Sequence, residues 1–453
     1  MILLMTTAQP ENSPWGTANR IPPIGLAYVA AALEKAEFEV TLIDNYLLNK
    51  PVEHIQKEVK KLEPEIVGVS CSSNTYQRAV ETAKAVKEAF PLCKLVVGGP
   101  HPSIMPESML QHPEIDYVVM GEGERAMTQL TTHIISKKED LELSTIPGIA
   151  YKIKGRIVKN SPKFIENLDQ VPYPARHLLP MHLYDRAAYF LENKPIDVMN
   201  VIRGCPFNCT WCNVQEIWGS ISRSFSPKRI IDEMEHLNNT YGTQGVYFVG
   251  DNFTINKKRT TKICKQMQEH RIDMEWACDT GVDLISRDVL RAMKAAGCKT
   301  IWFGVESGVP AILEKINRGI TIEQAIKAFK LCKEEKIETG ISLMLGIPGE
   351  TVKDMETTFK FAKKLDPDWH QFNVFIAYPG CKLYEEILEK GLYDRIEDFL
   401  AYVKTEDFNY EKLIEIQRQF HTNFNKSPKR ILKKIRRDGF WKVLQKSINF
   451  ARK

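Results

Sequence analysis

Two patterns alternate along this 453-residue chain: short apolar runs, and longer stretches with apolar residues every three or four positions. In the first third, apolar runs at 1–5, 38–43, 66–71, 93–97 and 116–120 predict strands. Amphipathic stretches at 24–36, 52–62, 76–89 and 123–136 predict the helices between them. Five strands separated in this way predict a doubly wound parallel sheet, whose ligands lie beyond the carboxyl ends of the strands. From residue 197 the alternation resumes, with strands expected at 197–202, 245–249, 274–279, 300–305, 340–345 and 371–377. Helices are expected near 227–239, 256–270, 287–296, 321–335 and 351–364. Six β/α units with right-handed crossovers predict a partial barrel, with its chemistry at the carboxyl ends of the strands.

Between these α/β units, Pro147 to Val158 predicts a β-hairpin, and a proline-bearing connector follows over 168–179. The expected units are therefore residues 1–140, a connector 141–195, a barrel 196–395 and a helical extension 396–453. In the extension, apolar positions 431 and 435, then 440, 444 and 448, recur at helical spacing among basic residues, with Gly439 as a break. Three readings stay open for this tail: a helix docked on the barrel with a solvated basic face, an amphipathic helix on an anionic membrane, or contact with an acidic partner.

The charge changes the picture only through that tail. Residues 426–453 hold 11 of the 62 basic residues and one of the 57 acidic ones, so the other 425 residues carry a net charge of −5 against +5 for the whole chain. A nucleic-acid surface spread over the chain is not expected. A composition of 43% hydrophobic and 26% charged residues excludes disorder. No apolar run approaches the ~18 residues of a membrane span. Met1 to Met5 lack the basic lead and cleavage site of a secretory signal. A cytoplasmic protein is expected, with at most peripheral contact at the inner membrane face.

Seven of the ten cysteines, Cys71, Cys93, Cys264, Cys278, Cys298, Cys332 and Cys381, stand singly in hydrophobic contexts and are expected as buried thiols of a reduced protein. The other three lie in Arg203-Gly-Cys205-Pro-Phe-Asn-Cys209-Thr-Trp-Cys212, a C-x3-C-x2-C spacing. Parity and proximity disfavour disulfides, leaving a metal site or coincidence. Thiolates suit zinc or iron–sulfur centres. A closed zinc site wants a fourth ligand from a second pair, and none is nearby. Three thiolates on one loop suit a [4Fe–4S] cluster with one iron open to an exchangeable ligand.

With Trp211 in the aromatic place, this loop resembles that of the radical S-adenosylmethionine (SAM) superfamily, and the likeness runs over roughly 195–395. It implies a partial (β/α)6 barrel of TIM type, with Cys205, Cys209 and Cys212 as cluster ligands and Trp211 beside SAM. Gly250-Asp251-Asn252-Phe253 closes the second strand where the family contacts the SAM amino group. Asp251 stands there in place of the usual Gly-Gly-Glu. Glu306, in Gly304-Val-Glu-Ser-Gly308, closes the fourth strand, where a carboxylate suits the ribose hydroxyls. Gly346 and Ile347, in Gly346-Ile-Pro-Gly-Glu350, resemble the adenine-side motif. Ala377 ends the sixth strand, before Tyr378-Pro-Gly-Cys381-Lys-Leu-Tyr384, which is similar to the family's Y-P-G-T-x-L-Y exit with cysteine replacing threonine. The alternative for each of these glycine turns is a purely geometric need.

Three segments of the first domain, Pro22 to Ala31, Gly98 to Glu107 and Val118 to Glu124, resemble the cobalamin-binding domain found ahead of the barrel in one large radical SAM subgroup. The likeness implies cobalamin contacts at Ser70, Cys71 and Ser72, at Gly98, Gly99, Pro100 and His101, and at Gly121, Glu122 and Gly123. The D-x-H-x-x-G loop that supplies a lower cobalt ligand in many cobalamin proteins is absent. His101 is left with three readings: contact with the ligand periphery, satisfaction within its own turn, or cobalt ligation.

The resemblance implies an enzyme that reductively cleaves SAM at the cluster to a 5′-deoxyadenosyl radical and methylates an unactivated carbon, as class B radical SAM methyltransferases do. Its alternatives are a non-methylating oxidoreductase or cyclase acting on a lipid or tetrapyrrole, and a non-catalytic cobalamin or SAM sensor. The expected partners are a small-molecule or lipid substrate and a reductant such as flavodoxin or ferredoxin, without nucleic acid. Only Cys71 and Cys93 lie in the first domain and only Cys332 and Cys381 past residue 300, so a single cluster is expected.

Overall fold

Alternate residues of the first strands serve two cores, one on each face of a sheet. Ile2 and Leu4 pack with Val40, Ile66, Val96 and Val119 under helices Ile24–Lys35 and Gly123–Ser136. Leu3 and Met5 pack with Val67, Val69 and Val97 under Val52–Leu62 and Tyr76–Ala89. The period-two exposure of a strand therefore demands helices on both sides. The structure is a computed structural model that describes residues 1–10, 21–136, 142–427, 430–432 and 435.

The strand order of this sheet is Val40–Asp44, Ile2–Thr6, Ile66–Ser70, Lys94–Gly98, Tyr117–Val119, Ile149–Ile153, Arg156–Lys159. The first five are parallel, and the order reverses between Ile2–Thr6 and Ile66–Ser70, where doubly wound sheets open a crevice. The hairpin that the sequence places in the connector instead pairs antiparallel with Tyr117–Val119 and extends this sheet. It covers what would otherwise be a bare edge.

A second sheet of six parallel strands follows: Ile196–Asn200, Gly245–Val249, Glu275–Thr280, Cys298–Glu306, Glu338–Leu345 and Trp369–Val374, in sequential order. Its inner face is closed at one end by aromatic rings. Phe190 lies 5.0 Å from Tyr247 and 5.7 Å from Trp302, and Tyr189 lies 5.2 Å from Trp369. Thr300 Oγ1 donates to Phe190 O at 2.9 Å and seats this plug. The opposite, carboxyl end is the open one.

Two expectations change. The strand expected over 371–377 stops at Val374, and Ile376–Ala377 joins Tyr393–Glu397 and Leu400–Val403 in a separate three-stranded antiparallel sheet. The extension expected as helical thus opens with a β-hairpin before helix Tyr410–Asn425. Its two turn residues, Asp398 (φ 49°) and Phe399 (φ 66°), are both left-handed without a glycine, which hides the turn from sequence patterns. The apolar positions 440, 444 and 448 and Gly439 lie outside the described residues. No helix among the described residues is long and apolar enough to cross a membrane.

Candidate active site

The three cysteines sit on a loop that leaves the first barrel strand and is pinned from three sides. Thr210 N–H donates to Ile316 O (3.0 Å), and Leu383 N–H donates to Thr210 O (2.9 Å). Asn317 Nδ2 reaches Asn208 O (2.8 Å), and Asn213 Nδ2 reaches Pro379 O (3.2 Å). Gln215 Nε2 spans Cys205 O (3.0 Å) and Phe207 O (2.9 Å). Gly204 enters the loop at φ +86°, and a Cβ there would meet Ile221 O at 2.3 Å, so only glycine fits. All three thiols are free and partly accessible. Burial pushes Cys212 up to about 12 and raises Cys205 and Cys209.

Beside the loop lies a cavity of about 750 Å³ lined by Trp211, Cys212, Asp251, Glu306, Ser342 and Asn373, among others. Asp251 accepts from the Gly204 N–H, and burial raises its carboxyl to about 6. Glu306 is only 5% exposed and holds φ 71° where the strand pairing slips between Gly304 and Glu306. A left-handed backbone at a β-bulge is costly for a residue with a side chain, and such strain marks sites where direction matters. Burial raises Glu306 to about 7 against the lowering pull of the nearby Arg318, and among the described residues no hydrogen bond reaches its carboxyl. Gly346, Ile347 and Ala377 do not line this cavity. Glu350 accepts from the N–H groups of Gly346 (2.8 Å) and Ile347 (3.2 Å), and a Cβ on Gly346 would meet Leu413 Cδ1 at 2.4 Å. That turn packs under the helix Tyr410–Asn425.

The inner face of the barrel adds groups that sequence patterns passed over. Asn373 Nδ2 donates to Ser342 Oγ (3.0 Å), and Tyr247 O–H donates to both oxygens of Asp279 (2.8 Å each). Their one sequence signal is a polar residue at an inward position of an otherwise apolar strand.

A second cavity, of about 420 Å³, lies between the carboxyl edge of the first sheet and the barrel. Ser70, Gly98, Gly99, Pro100, Gly121 and Gly123 line it from one side, and Asn200, Arg203 and Gly250 from the other. Cys71, Ser72, His101 and Glu122 do not. Ser72 caps its own turn with Thr75. Buried His101 shares hydrogen bonds with Ser73 Oγ (3.0 Å) and Ser108 Oγ (2.9 Å), and burial lowers it to about 4, so a neutral ring is satisfied within the fold. Glu122 pairs with Arg203 (3.1 Å) and Arg223 (2.8 Å). Arg203 also pairs with Glu124 (2.6 Å) and lies 5.1 Å from both the Tyr28 and Trp218 rings, latching the glycine-rich loop of one domain to the residue ahead of Gly204 in the other.

The sequence matches the family model of the Radical SAM superfamily over residues 199–362 and that of the B12 binding domain over residues 17–131. An uncharacterized methyltransferase of Pyrococcus horikoshii is 35% identical over 424 residues, covering 91% of this chain and 90% of its own length. This chain belongs to the cobalamin-dependent radical SAM methyltransferase family. The anaerobic magnesium-protoporphyrin IX monomethyl ester cyclase of Rubrivivax gelatinosus is 28% identical over 379 residues, covering 82% of this chain and 67% of its own. The fold is shared with the cobalamin-dependent SAM radical enzyme OxsB, solved with aqua-cobalamin and SAM bound, at a TM-score of 0.77 and 17% identity over 96% of this chain and 68% of that one.

The cofactors of this radical SAM family are a [4Fe–4S] cluster, SAM and cobalamin. The residues present fit them. Among the described residues no three His, Cys, Asp or Glu side chains converge as ligands of one ion must. A cluster asks for the other arrangement, each thiolate on its own iron, and three soft donors on one loop supply it. Trp211 Nε1, beside the larger cavity, is buried without a hydrogen-bond partner. In the smaller cavity Asn200 Oδ1 is likewise an orphaned acceptor, and a Cβ on Gly68 would intrude to 2.6 Å from Leu4 Cδ2. No histidine lines this cavity among the described residues. It suits a flat, largely apolar part of a ligand held without a protein imidazole.

Four buried carboxyls make the cofactor-free protein of this radical SAM family sensitive to pH. Burial raises Asp251 to about 6, and Asp279, Glu306 and Glu350 to about 7. The unfolded chain releases these protons first, so stability falls as pH rises from about 4.5 to about 7 and then levels off. Glu306→Gln removes one contribution and makes the fall shallower in urea unfolding measured across that range. An unchanged slope would mean that Glu306 does not hold its proton in the fold.

Proposed function

We propose that the two cavities work as one site in which SAM is cleaved and a methyl group reaches an unactivated carbon of a small-molecule substrate. The observation that carries this reading is the end of the second barrel strand. Gly250 lines the smaller cavity, and the next residue, Asp251, lines the larger one. When bound, the cluster supplies the electron for SAM cleavage and cobalamin the methyl-carrying metal.

The chain's own residues bind, orient and exclude water. Asp251 and Glu306 stand where an amino group and a pair of hydroxyls find acceptors beside Cys212. The pinned loop keeps the three sulfurs in place before any ligand arrives, which is the preorganisation that catalysis rewards. The hairpin Tyr393–Val403 closes the larger cavity with Glu397, Leu400 and Tyr402, and Phe399 anchors it in the first domain at 5.0 Å from both the Tyr76 and His101 rings. The reading places the protein in a reducing cytoplasm, with flavodoxin or ferredoxin as electron donor.

Anaerobic turnover of cluster-reconstituted, cobalamin-loaded protein tests the reading. Both 5′-deoxyadenosine and S-adenosylhomocysteine are expected above an unreconstituted control. Neither product would leave a sensor, and 5′-deoxyadenosine alone would point to a non-methylating oxidoreductase or cyclase.

A further inference from the structure

The tip of the hairpin over the larger cavity goes against its own turn chemistry. Glu397 pairs with Leu400, so Asp398 and Phe399 form a two-residue loop, and both have positive φ (49° and 66°). Such a turn favours Asp-Gly, because glycine takes the second left-handed position without strain. Phenylalanine stands there instead. Its conformation is costly for a bulky side chain, and strain of this kind persists only where surrounding contacts enforce it. Here those contacts lie in the other domain. The Phe399 ring packs against the core under helices Val52–Leu62 and Tyr76–Ala89, edge-to-face with Tyr76 at 5.0 Å and 5.0 Å from the His101 ring. Gln77, on the same helix as Tyr76, bonds the Asp398 carboxyl.

The seat of Phe399 joins the walls of both cavities. His101 follows Gly98, Gly99 and Pro100, which line the smaller cavity. Just beyond it, Ser103 Oγ accepts from the N–H of Gly121 (2.8 Å), which lines that cavity too. The His101 ring shares a hydrogen bond with Ser73 Oγ (3.0 Å), and the next residue, Asn74, lines the larger cavity. From the hairpin, both neighbours of Phe399, Asp398 and Leu400, line the larger cavity as well. Whatever firms the loop Gly98–His101 therefore firms the seat of Phe399, and with it one wall of the larger cavity.

We propose that Phe399 is a positioning residue that couples the two cavities: cobalamin seated on Gly98, Gly99 and Pro100 firms His101, which holds Phe399 and draws the hairpin closed over the substrate. The proposal rests on the two-cavity reading above and adds that the substrate wall is fully formed only with cobalamin in place.

Hydrogen exchange of the cluster-containing protein, without and with saturating hydroxocobalamin, tests it, because exchange reports local opening. In the wild type, cobalamin is expected to slow exchange over 393–403 about fivefold, at the low end of couplings between sites. Phe399→Gly supplies the residue the turn prefers, so a residue that served the turn alone would leave the hairpin as well protected or better. The expected result is the reverse: 393–403 exchanges fast and no longer responds to cobalamin, while strands Cys298–Glu306 and Glu338–Leu345 keep their protection. Linkage is reciprocal, so cobalamin should bind Phe399→Gly about fivefold more weakly than wild type. Phe399→Tyr, which keeps the ring, should restore both effects. Wild-type hairpin exchange indifferent to added cobalamin would overturn the proposal, independently of any variant. So would a cobalamin response that survives in Phe399→Gly, or an unchanged cobalamin affinity there. None of these readouts requires SAM cleavage, whose absence would instead overturn the functional reading.

Discussion

Cys209→Ser yields a folded protein that carries no complete cluster and forms 5′-deoxyadenosine only at the level of the unreconstituted control. The loop keeps its course through bonds at Thr210, Asn208, Asn213 and Gln215, none of which uses the Cys209 sulfur. Serine replaces the thiol at a partly accessible position, so the unfolding free energy of the cofactor-free variant stays within about 0.5 kcal/mol of wild type. A hydroxyl is a poor soft-metal ligand, and with three protein thiolates there is none to spare. Iron and sulfide content, anaerobic product analysis and urea unfolding check the three parts together. Cys298→Ser provides the contrast: that thiol is 1% exposed in the core between sheet and helices, so its variant keeps its cluster but loses about 1–3 kcal/mol of stability by burying a hydroxyl. A Cys209→Ser protein with full iron content and turnover would remove the loop from the chemistry.

Arg203→Met lowers the unfolding free energy by about 3–5 kcal/mol, the range expected when one member of a buried ionic set is removed. The Arg203 and Glu122 side chains are each 1% exposed and that of Glu124 is 8%. Burial alone would lower the Arg203 pKa; the carboxylates of Glu124 and Glu122 outweigh it and hold the guanidinium charged. Methionine leaves Glu124 without this partner and Glu122 with Arg223 as its remaining cation, beside the Ile165 N–H that donates to its other oxygen. Arg203→Lys recovers little, because one ammonium cannot reproduce a planar fork held between two carboxylates and two aromatic rings. The residue stands two positions before Cys205, so iron bound per protein should fall as well. Urea denaturation of the cofactor-free variants with parallel iron assays measures both effects. A loss below about 1 kcal/mol would make the latch no stronger than a surface ion pair.

Much of the architecture was legible in one dimension because it rests on local periodicity. Gly245–Val249 and the helix Val52–Leu62 lie where the apolar spacing places them. The cysteine loop was equally legible, since its three ligands lie within eight residues and their spacing is the chemistry. What escaped depends on contacts between distant segments. The hairpin Ile149–Ile153 and Arg156–Lys159 shows its turn in the sequence, but the sheet it joins is chosen by the free edge of Tyr117–Val119. His101, with glycine and proline neighbours, looks like a ligand contact until Ser73 and Ser108 arrive from other elements to satisfy both ring nitrogens. Gly346 and Ile347 carry a recognisable turn, yet Leu413, some seventy residues on, covers it.

By itself the sequence determined two α/β units in tandem, the position of a three-thiolate loop and an acidic body with a basic tail, because strand and helix period, ligand spacing and charge are all properties of neighbours. Only the tertiary structure decided that Gly250 and Asp251 separate two cavities, that Arg203 latches one domain to the other, and that Asp251, Glu306, Glu397 and Asp398 share one space. Those relations are set by burial and Coulombic fit among residues up to 147 positions apart, from Asp251 to Asp398, and no local pattern encodes them.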